Sequence, residues 1–221
     1  MSVVNFITQK SAIVSNILGS YKVTRVFLLT LVLSVVSACT TTYTSKQLQQ
    51  DKNERSVQLE SLNSWTIKGK IAFIQPNDKQ SANIYWQQSP QHTQLKLTTF
   101  LGVNVLTLTS NENQHSLTVD GKTYHDSSLE NLLLQTTGLQ LPVHALIYWV
   151  KGLKASNNDI VYYSDDTQLP SSIDANINDL LWRINYQSYG LYGDYRLANK
   201  LSIEHDDLTI KLAINRWELN K

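Results

Sequence analysis

The chain is short of the residues that staple or sharply punctuate a backbone: its 221 residues include one cysteine, Cys39, four prolines and eight glycines. A single thiol closes no disulfide within the chain. Charged residues make up only 17%, and no stretch reaches the ~20 apolar residues that a membrane-crossing helix needs. Motifs that carry chemistry are missing as well. No Gly-x-x-x-x-Gly-Lys-Ser/Thr loop is present to cradle a phosphate, so no means of spending ATP is visible. No Gly-x-Ser-x-Gly elbow presents a nucleophile. The histidines, His92, His115, His125, His144 and His205, are scattered. His205 stands beside Glu204, Asp206 and Asp207, but neighbours on a strand point to opposite faces and do not converge on a metal. Gly190 and Gly193 form half a glycine fingerprint with no strand-to-helix unit around it. These absences argue against an enzyme, and for a chain that needs neither metal nor cofactor.

What is present begins at the N-terminus. Lys10, Lys22 and Arg25 occur there without an acid, and a largely apolar stretch of 11 residues, 26–36, follows, too short to span a bilayer. That is an export signal. Val36, Ser37 and Ala38 then lead into Cys39, the cleavage pattern of a bacterial lipoprotein, which makes Cys39 the lipid attachment site and consumes its thiol. Each buried CH₂ of an acyl chain contributes ~0.8 kcal/mol, so three chains anchor the protein durably. Thr40, and not the aspartate that tends to retain lipoproteins at the inner membrane, follows the cysteine, which predicts a lipid-anchored protein of the outer membrane, facing the periplasm. Removal of residues 1–38 leaves 183 residues, and loss of three cations takes the formal net charge from +1 to −2. A nearly neutral domain of this kind has no footprint for nucleic acid. Residues 39–50, polar and small, read as a lipidated tether, and residues 51–221 as one domain, expected to be a monomer.

A polar helix is predicted over residues 48–62, with Leu48, Val57, Leu59 and Leu62 on a thin apolar side. From Trp65 the period becomes two: Trp65, Ile67, Gly69, Ile71 and Phe73 share a face opposite Thr66, Lys68 and Lys70. Residues 75–78 have turn chemistry, and Ala82, Ile84 and Trp86 resume the alternation. Further strands are predicted around Leu95 and Leu97, over 103–109, and over 117–119, where Asp120 and Gly121 form a favoured hairpin turn into 122–124. After a central interruption, strands return at 160–163, 182–186, 200–205 and 208–215, while 165–179 reads as irregular. No internal repeat is visible.

The interruption, residues 129–152, is a helical hairpin. Ser127 and Glu130 have capping-box spacing, Gly138 stops the first helix, Pro142 suits the first turn of the second, and Gly152 ends it. Leu129, Leu132 and Leu133, then Leu146, Ile147 and Val150, give each helix an apolar stripe that a sheet must cover. An antiparallel sheet of about ten or eleven strands curls, and helices across its mouth enclose a space. The predicted class is mainly β: an antiparallel half-barrel with helices covering the opening.

Several stretches resemble the LolB family of outer-membrane lipoprotein receptors. They are Trp65 to Gly69, the run Tyr85, Trp86, Gln87 and Gln88, the turn Phe100, Leu101 and Gly102, the segment 138–143, and Trp149, Val150, Lys151 and Gly152. The resemblance implies the half-open barrel shared by LolA and LolB. It also implies a receptor or chaperone that accepts triacylated lipoproteins from the periplasmic carrier LolA and inserts them into the inner leaflet of the outer membrane. An alternative is a lipid-binding or envelope-scaffolding lipoprotein without transfer activity. Partners would be LolA, acylated lipoproteins as cargo, and outer-membrane lipid. In the family's Pro-Leu-Gly turn the leucine enters the membrane; Leu101 matches it, Gly102 follows, and Phe100 replaces the proline, which predicts a looser turn with a more apolar tip. Leu153 and Lys154 stand where many relatives have a proline. Candidate residues for the acyl-chain cavity are Ile71, Phe73, Ile84, Trp86, Leu97, Leu132, Leu146, Trp149 and Leu212. Lys68, Lys70, Lys96 and Lys122 are expected to form a basic strip that could meet an acidic carrier.

Overall fold

The structure is a computed structural model and describes residues 45–112 and 114–219. The expected signal peptide, Cys39 and the first residues of the expected tether lie outside the described residues. Helix α1 (Ser45–Glu60) comes first and takes in the last part of the stretch assigned to the tether. Six strands follow: β1 (Trp65–Gln75), β2 (Asp78–Gln88), β3 (His92–Thr98), β4 (Asn104–Asn111), β5 (His115–Val119) and β6 (Lys122–Asp126). Helices α2 (Leu129–Thr137) and α3 (Val143–Trp149) interrupt them. The chain closes with β7 (Ile160–Tyr163), β8 (Pro170–Ile177), β9 (Leu180–Tyr192), β10 (Tyr195–His205) and β11 (Leu208–Leu219).

All eleven strands form one sheet in the order β6-β5-β4-β3-β2-β1-β11-β10-β9-β8-β7. Each half is a meander whose neighbours in sequence are neighbours in space. The halves meet where the first strand pairs antiparallel with the last, from Trp65 opposite Leu219 to Ile74 opposite Thr209. The sheet's two edges, β6 and β7, are the strands that flank the helical hairpin in sequence. The connection between the open edges therefore becomes the cover, and α2 packs against β5 and β6.

Alternation sets which face is buried. On the inner face Phe73 stands opposite Ile210, Ile210 opposite Ile203, Ile203 opposite Ile184, and Ile184 opposite Ile173, a row of apolar side chains crossing five strands. A parallel row runs through Leu108, Leu95, Trp86, Ile67 and Trp217. Trp65 sits at the seam, with Trp86 at 5.0 Å and Trp217 at 5.4 Å, both edge-on. A bulge at Lys68 and Gly69 shifts the β1–β11 register, and there the strands approach so closely that a Cβ on Gly69 would collide with the carbonyl of Ala213. The bulge sharpens the twist that turns a flat sheet into a trough.

Three local expectations need correction. Strand β8 occupies part of the segment read as irregular. The cap of α2 is Ser128, whose hydroxyl accepts from the Asn131 N–H at 3.3 Å, one residue later than the expected box at Ser127. The Asp126 carboxylate has already taken the Ser128 N–H, which sets the chain's entry into the helix. Finally, the register puts Lys122 opposite Val119 and so on the inner-face side, while Lys68, Lys70 and Lys96 are on the outer face. The basic strip loses its fourth member.

Candidate functional site: an apolar cavity under a helical cover

The cover is two short helices joined by residues 138–142. Gly138 ends α2 in the left-handed region (φ 72°), its N–H donating to the Leu134 carbonyl at 2.9 Å. Pro142 precedes α3, and Gly152 (φ 74°) closes the turn beyond it. Leu129, Leu132 and Leu133 are buried from α2, and Val143, Ala145 and Trp149 from α3. The two stripes face the trough.

Between cover and sheet lies a cavity of about 100 Å³ whose wall exposes no polar surface. Seven of the nine residues singled out from sequence line it: Ile71, Phe73, Ile84, Trp86, Leu97, Leu146 and Leu212. Leu132 and Trp149 do not. Adjacent residues on a helix point about 100° apart, and Leu133 and Val150 take the lining positions instead. Trp149 is fully buried beside Trp182, with ring centroids 6.0 Å apart, and its main-chain carbonyl accepts from the Tyr186 hydroxyl at 2.7 Å. Leu95, Leu106, Leu108, Ile203 and Ile210 complete much of the strand wall. Their alternation placed them on the inner face; what marked them as lining, as opposed to packed, was the position of the helices.

The cover is fastened unequally. At the end of α3, Arg55 of α1 donates to the carbonyls of Lys151 (3.0 Å) and Gly152 (3.2 Å). Lys151, only 3% exposed, sends its ammonium to the carbonyls of Leu59 (2.9 Å) and Leu62 (3.1 Å) at the end of α1. Burial holds the Lys151 ammonium below the usual lysine range, with Glu60 partly opposing, and burial likewise lowers Arg55 against the tyrosines around it. Among the described residues, no hydrogen bond ties the link 138–142 to the sheet; its bonds are local, such as Leu139 N–H to Thr137 Oγ1. One end of the cover is pinned and the other rests on apolar contact.

A second feature stands apart from the cavity. Phe100 and Leu101, at the tip between β3 and β4, are 89% and 86% exposed. Thr99 braces the turn: its carbonyl accepts from Gly102 N–H (2.9 Å), its N–H donates to Val103 O (2.8 Å), and its hydroxyl accepts from Val103 N–H (3.1 Å). Asn83 donates to the same carbonyl at 3.0 Å. The looseness expected from the missing proline is countered by this bonding. Two large apolar side chains are thus held in solvent on a well-bonded turn.

The family model for the outer membrane lipoprotein LolB matches residues 63–217. The chain belongs to the LolB family. Relatives named outer-membrane lipoprotein LolB agree: one from Shewanella baltica is 35% identical over 155 residues, covering 70% of this chain and 72% of the relative. One from Shewanella denitrificans is 33% identical over 192 residues, covering 85% and 90%. Among solved structures, a LolA superfamily protein from Nitrosomonas europaea superposes with a TM-score of 0.51 at 8% identity, covering 81% of this chain and 95% of that one. A DUF1329 family protein from Desulfovibrio piger gives 0.53 at 8%, covering 77% and 91%. At such identities these structures establish the shared fold alone. In this LolB family member the matched span runs from just before β1 to Trp217 in β11 and includes both the cavity and the exposed turn.

Proposed function

We propose that the chain is an outer-membrane lipoprotein receptor, anchored at Cys39 and facing the periplasm, that takes triacylated lipoproteins from the carrier LolA and inserts them into the membrane's inner leaflet. The observation that carries this reading is the cavity without polar surface beneath a cover pinned at one end. Acyl chains exposed to water cost ~0.8 kcal/mol per CH₂, so a lipoprotein with three of them must move from one shielded space to another. An engineered apolar cavity of roughly 150 Å³ holds one benzene. At about 100 Å³ the present one is a closed resting state, and the loosely held link must swing outward to admit a tail. Nothing in the mechanism consumes nucleotide; cargo moves because each acceptor binds it more tightly than the last donor. The Phe100 and Leu101 tip completes the path, since each side chain entering lipid contributes ~1.5–3 kcal/mol, enough to dock the turn and too little to hold it.

Mixing lipoprotein-loaded LolA with the mature chain carrying Cys39→Ala tests the proposal. Cargo is expected to change hands and then to enter added liposomes. No exchange would favour a scaffold, and exchange without release would favour a storage protein; either would overturn the receptor reading.

A further inference from the structure

A second pocket adjoins the apolar cavity, with a volume of about 460 Å³. Glu130 of α2, Gln140 of the link, His144 of α3, Asn176 and Asn178 at the β8–β9 turn, and Trp182 of β9 contribute to its wall. Leu141 borders both spaces. On one side of this leucine the wall shows no polar surface, and on the other amides, an imidazole and a carboxylate stand among apolar residues such as Ala145, Ile177 and Leu180.

Trp182 is 1% exposed, its ring stacked on His205 at 4.7 Å and packed against Trp149 at 6.0 Å, so it cannot turn. Its indole N–H has no acceptor among the described residues. The indole nitrogens of Trp65, Trp86 and Trp149 are buried and unpaired in the same way, Trp86 in the wall of the apolar cavity; of the four rings, Trp182 is the one that borders this second pocket. The wall includes Glu130 and no lysine or arginine.

We propose that this pocket receives the polar junction of a triacylated cysteine, its ester and amide carbonyls and amide N–H groups, while the tails pass Leu141 into the apolar cavity. The inference deepens the receptor reading and rests on it. A triacylated cysteine is an uncharged head on three tails. Drawn wholly into the apolar cavity, its carbonyls would lose their hydrogen bonds; beside the cavity they meet the polar side chains of Gln140, His144 and Asn178, next to the Trp182 ring. A phospholipid offers similar tails but carries a phosphate, which Glu130 repels and no neighbouring cation in the wall compensates. The pocket therefore acts as a head-group filter that keeps membrane phospholipid from occupying a site meant for cargo.

The test uses the mature chain with Cys39→Ala and three ligands: a triacylcysteinyl peptide, phosphatidylglycerol, and a pyrene-labelled alkane that has a tail and no such head. The unaltered wall should bind the peptide at least about tenfold more tightly than phosphatidylglycerol. His144→Trp, a change at an exposed position of α3 that borders the pocket, should weaken the peptide about tenfold and leave the alkane unaffected. Glu130→Lys should narrow the preference over phosphatidylglycerol. In ¹⁵N-tryptophan spectra the Trp182 indole signal should move with the peptide and stay in place with the alkane. Unchanged peptide affinity in His144→Trp, equal loss of peptide and alkane, or an indole signal that ignores the peptide would each overturn the proposal. Failure of the unaltered chain to bind even the alkane would instead sink the receptor reading beneath it.

Discussion

Arg55 and Lys151 cap each other's helices. The guanidinium of Arg55 donates to the Lys151 carbonyl at 3.0 Å, and the ammonium of Lys151 donates to Leu59 O at 2.9 Å, in the last turn of the helix that carries Arg55. Each cation sits where a helix has unpaired carbonyls and a negative dipole end. Burial makes the pair costly to ionise and more costly to break. It fixes the end of α3 while leaving the link at the other end free, which is the asymmetry a hinged cover needs.

Lys151→Met keeps the length of the side chain and removes its donor, taking the ammonium from the Leu62 carbonyl and leaving the Leu59 carbonyl with the Leu62 N–H alone. A loss of ~1–3 kcal/mol is expected, the usual cost of a buried unpaired group. Urea unfolding of the mature chain measures it.

The alkaline limb of stability should be set by tyrosines. Burial raises the Tyr186 hydroxyl well above its ordinary value of 10.0, and burial raises Tyr189 as well, against the opposing charge of Arg55. A group raised in the folded state contributes stability that is complete below its unfolded value and is lost as pH climbs past it. Stability should therefore fall as pH rises above 10, and Tyr186→Phe should flatten that fall. Lys151 acts in the opposite direction: its lowered value makes stability rise with pH until the ordinary 10.5 is reached. Urea midpoints followed from pH 8 to 11 separate the two.

Gly69→Ala would drive a methyl into the Ala213 carbonyl at the seam, where the obstacle is backbone and cannot rotate away. Overpacking of this kind costs ~1–3 kcal/mol. Thermal melting should show a drop of several degrees.

Leu106→Trp would fill the cavity from β4 without touching the hinge. The melting temperature should be kept, while affinity for a fatty-acyl probe falls about tenfold or more. Probe fluorescence titration decides.

Leu101→Glu places a charge on a side chain that is 86% exposed, so folding and docking to the carrier should be untouched. Deposition into liposomes should fail. Normal incorporation by this variant would remove the turn from the delivery step.

Where residues repeat with period two against a buried face, the strands could be read directly: β1, β2 and β11 follow their alternation, and Asp120 and Gly121 adopt the paired positive φ values, 50° and 73°, of the expected turn. Strand β8 escaped because Pro170, Ser171, Ser172, Asp174 and Asn176 mask the inward alternation of Ile173 and Ala175; its pairing comes from β7 and β9, which no local window contains. The same limit hid the cross-capping cations. Arg55 bonds to main-chain carbonyls as much as 141 residues away, and a carbonyl leaves no mark in a sequence. Gly193, whose half-fingerprint has no strand-to-helix unit around it, supplies a positive φ of 59° in the turn between β9 and β10. Seven cavity residues were reachable because inner-face alternation and helix stripes point at the same space; Leu132 and Trp149 missed by one helical position.

The junction of first and last strands has a consequence for how the molecule comes into being. Trp65 finds its partner at Leu219, so whichever end of the polypeptide is released first must wait, its inner side chains uncovered, until the other arrives. Each half-meander can zip locally, but the row of tryptophans that joins them closes only when the chain is whole. Truncation by a single C-terminal strand would therefore expose the middle of the sheet and not its margin, and a fragment made that way should aggregate before it can open or close on anything.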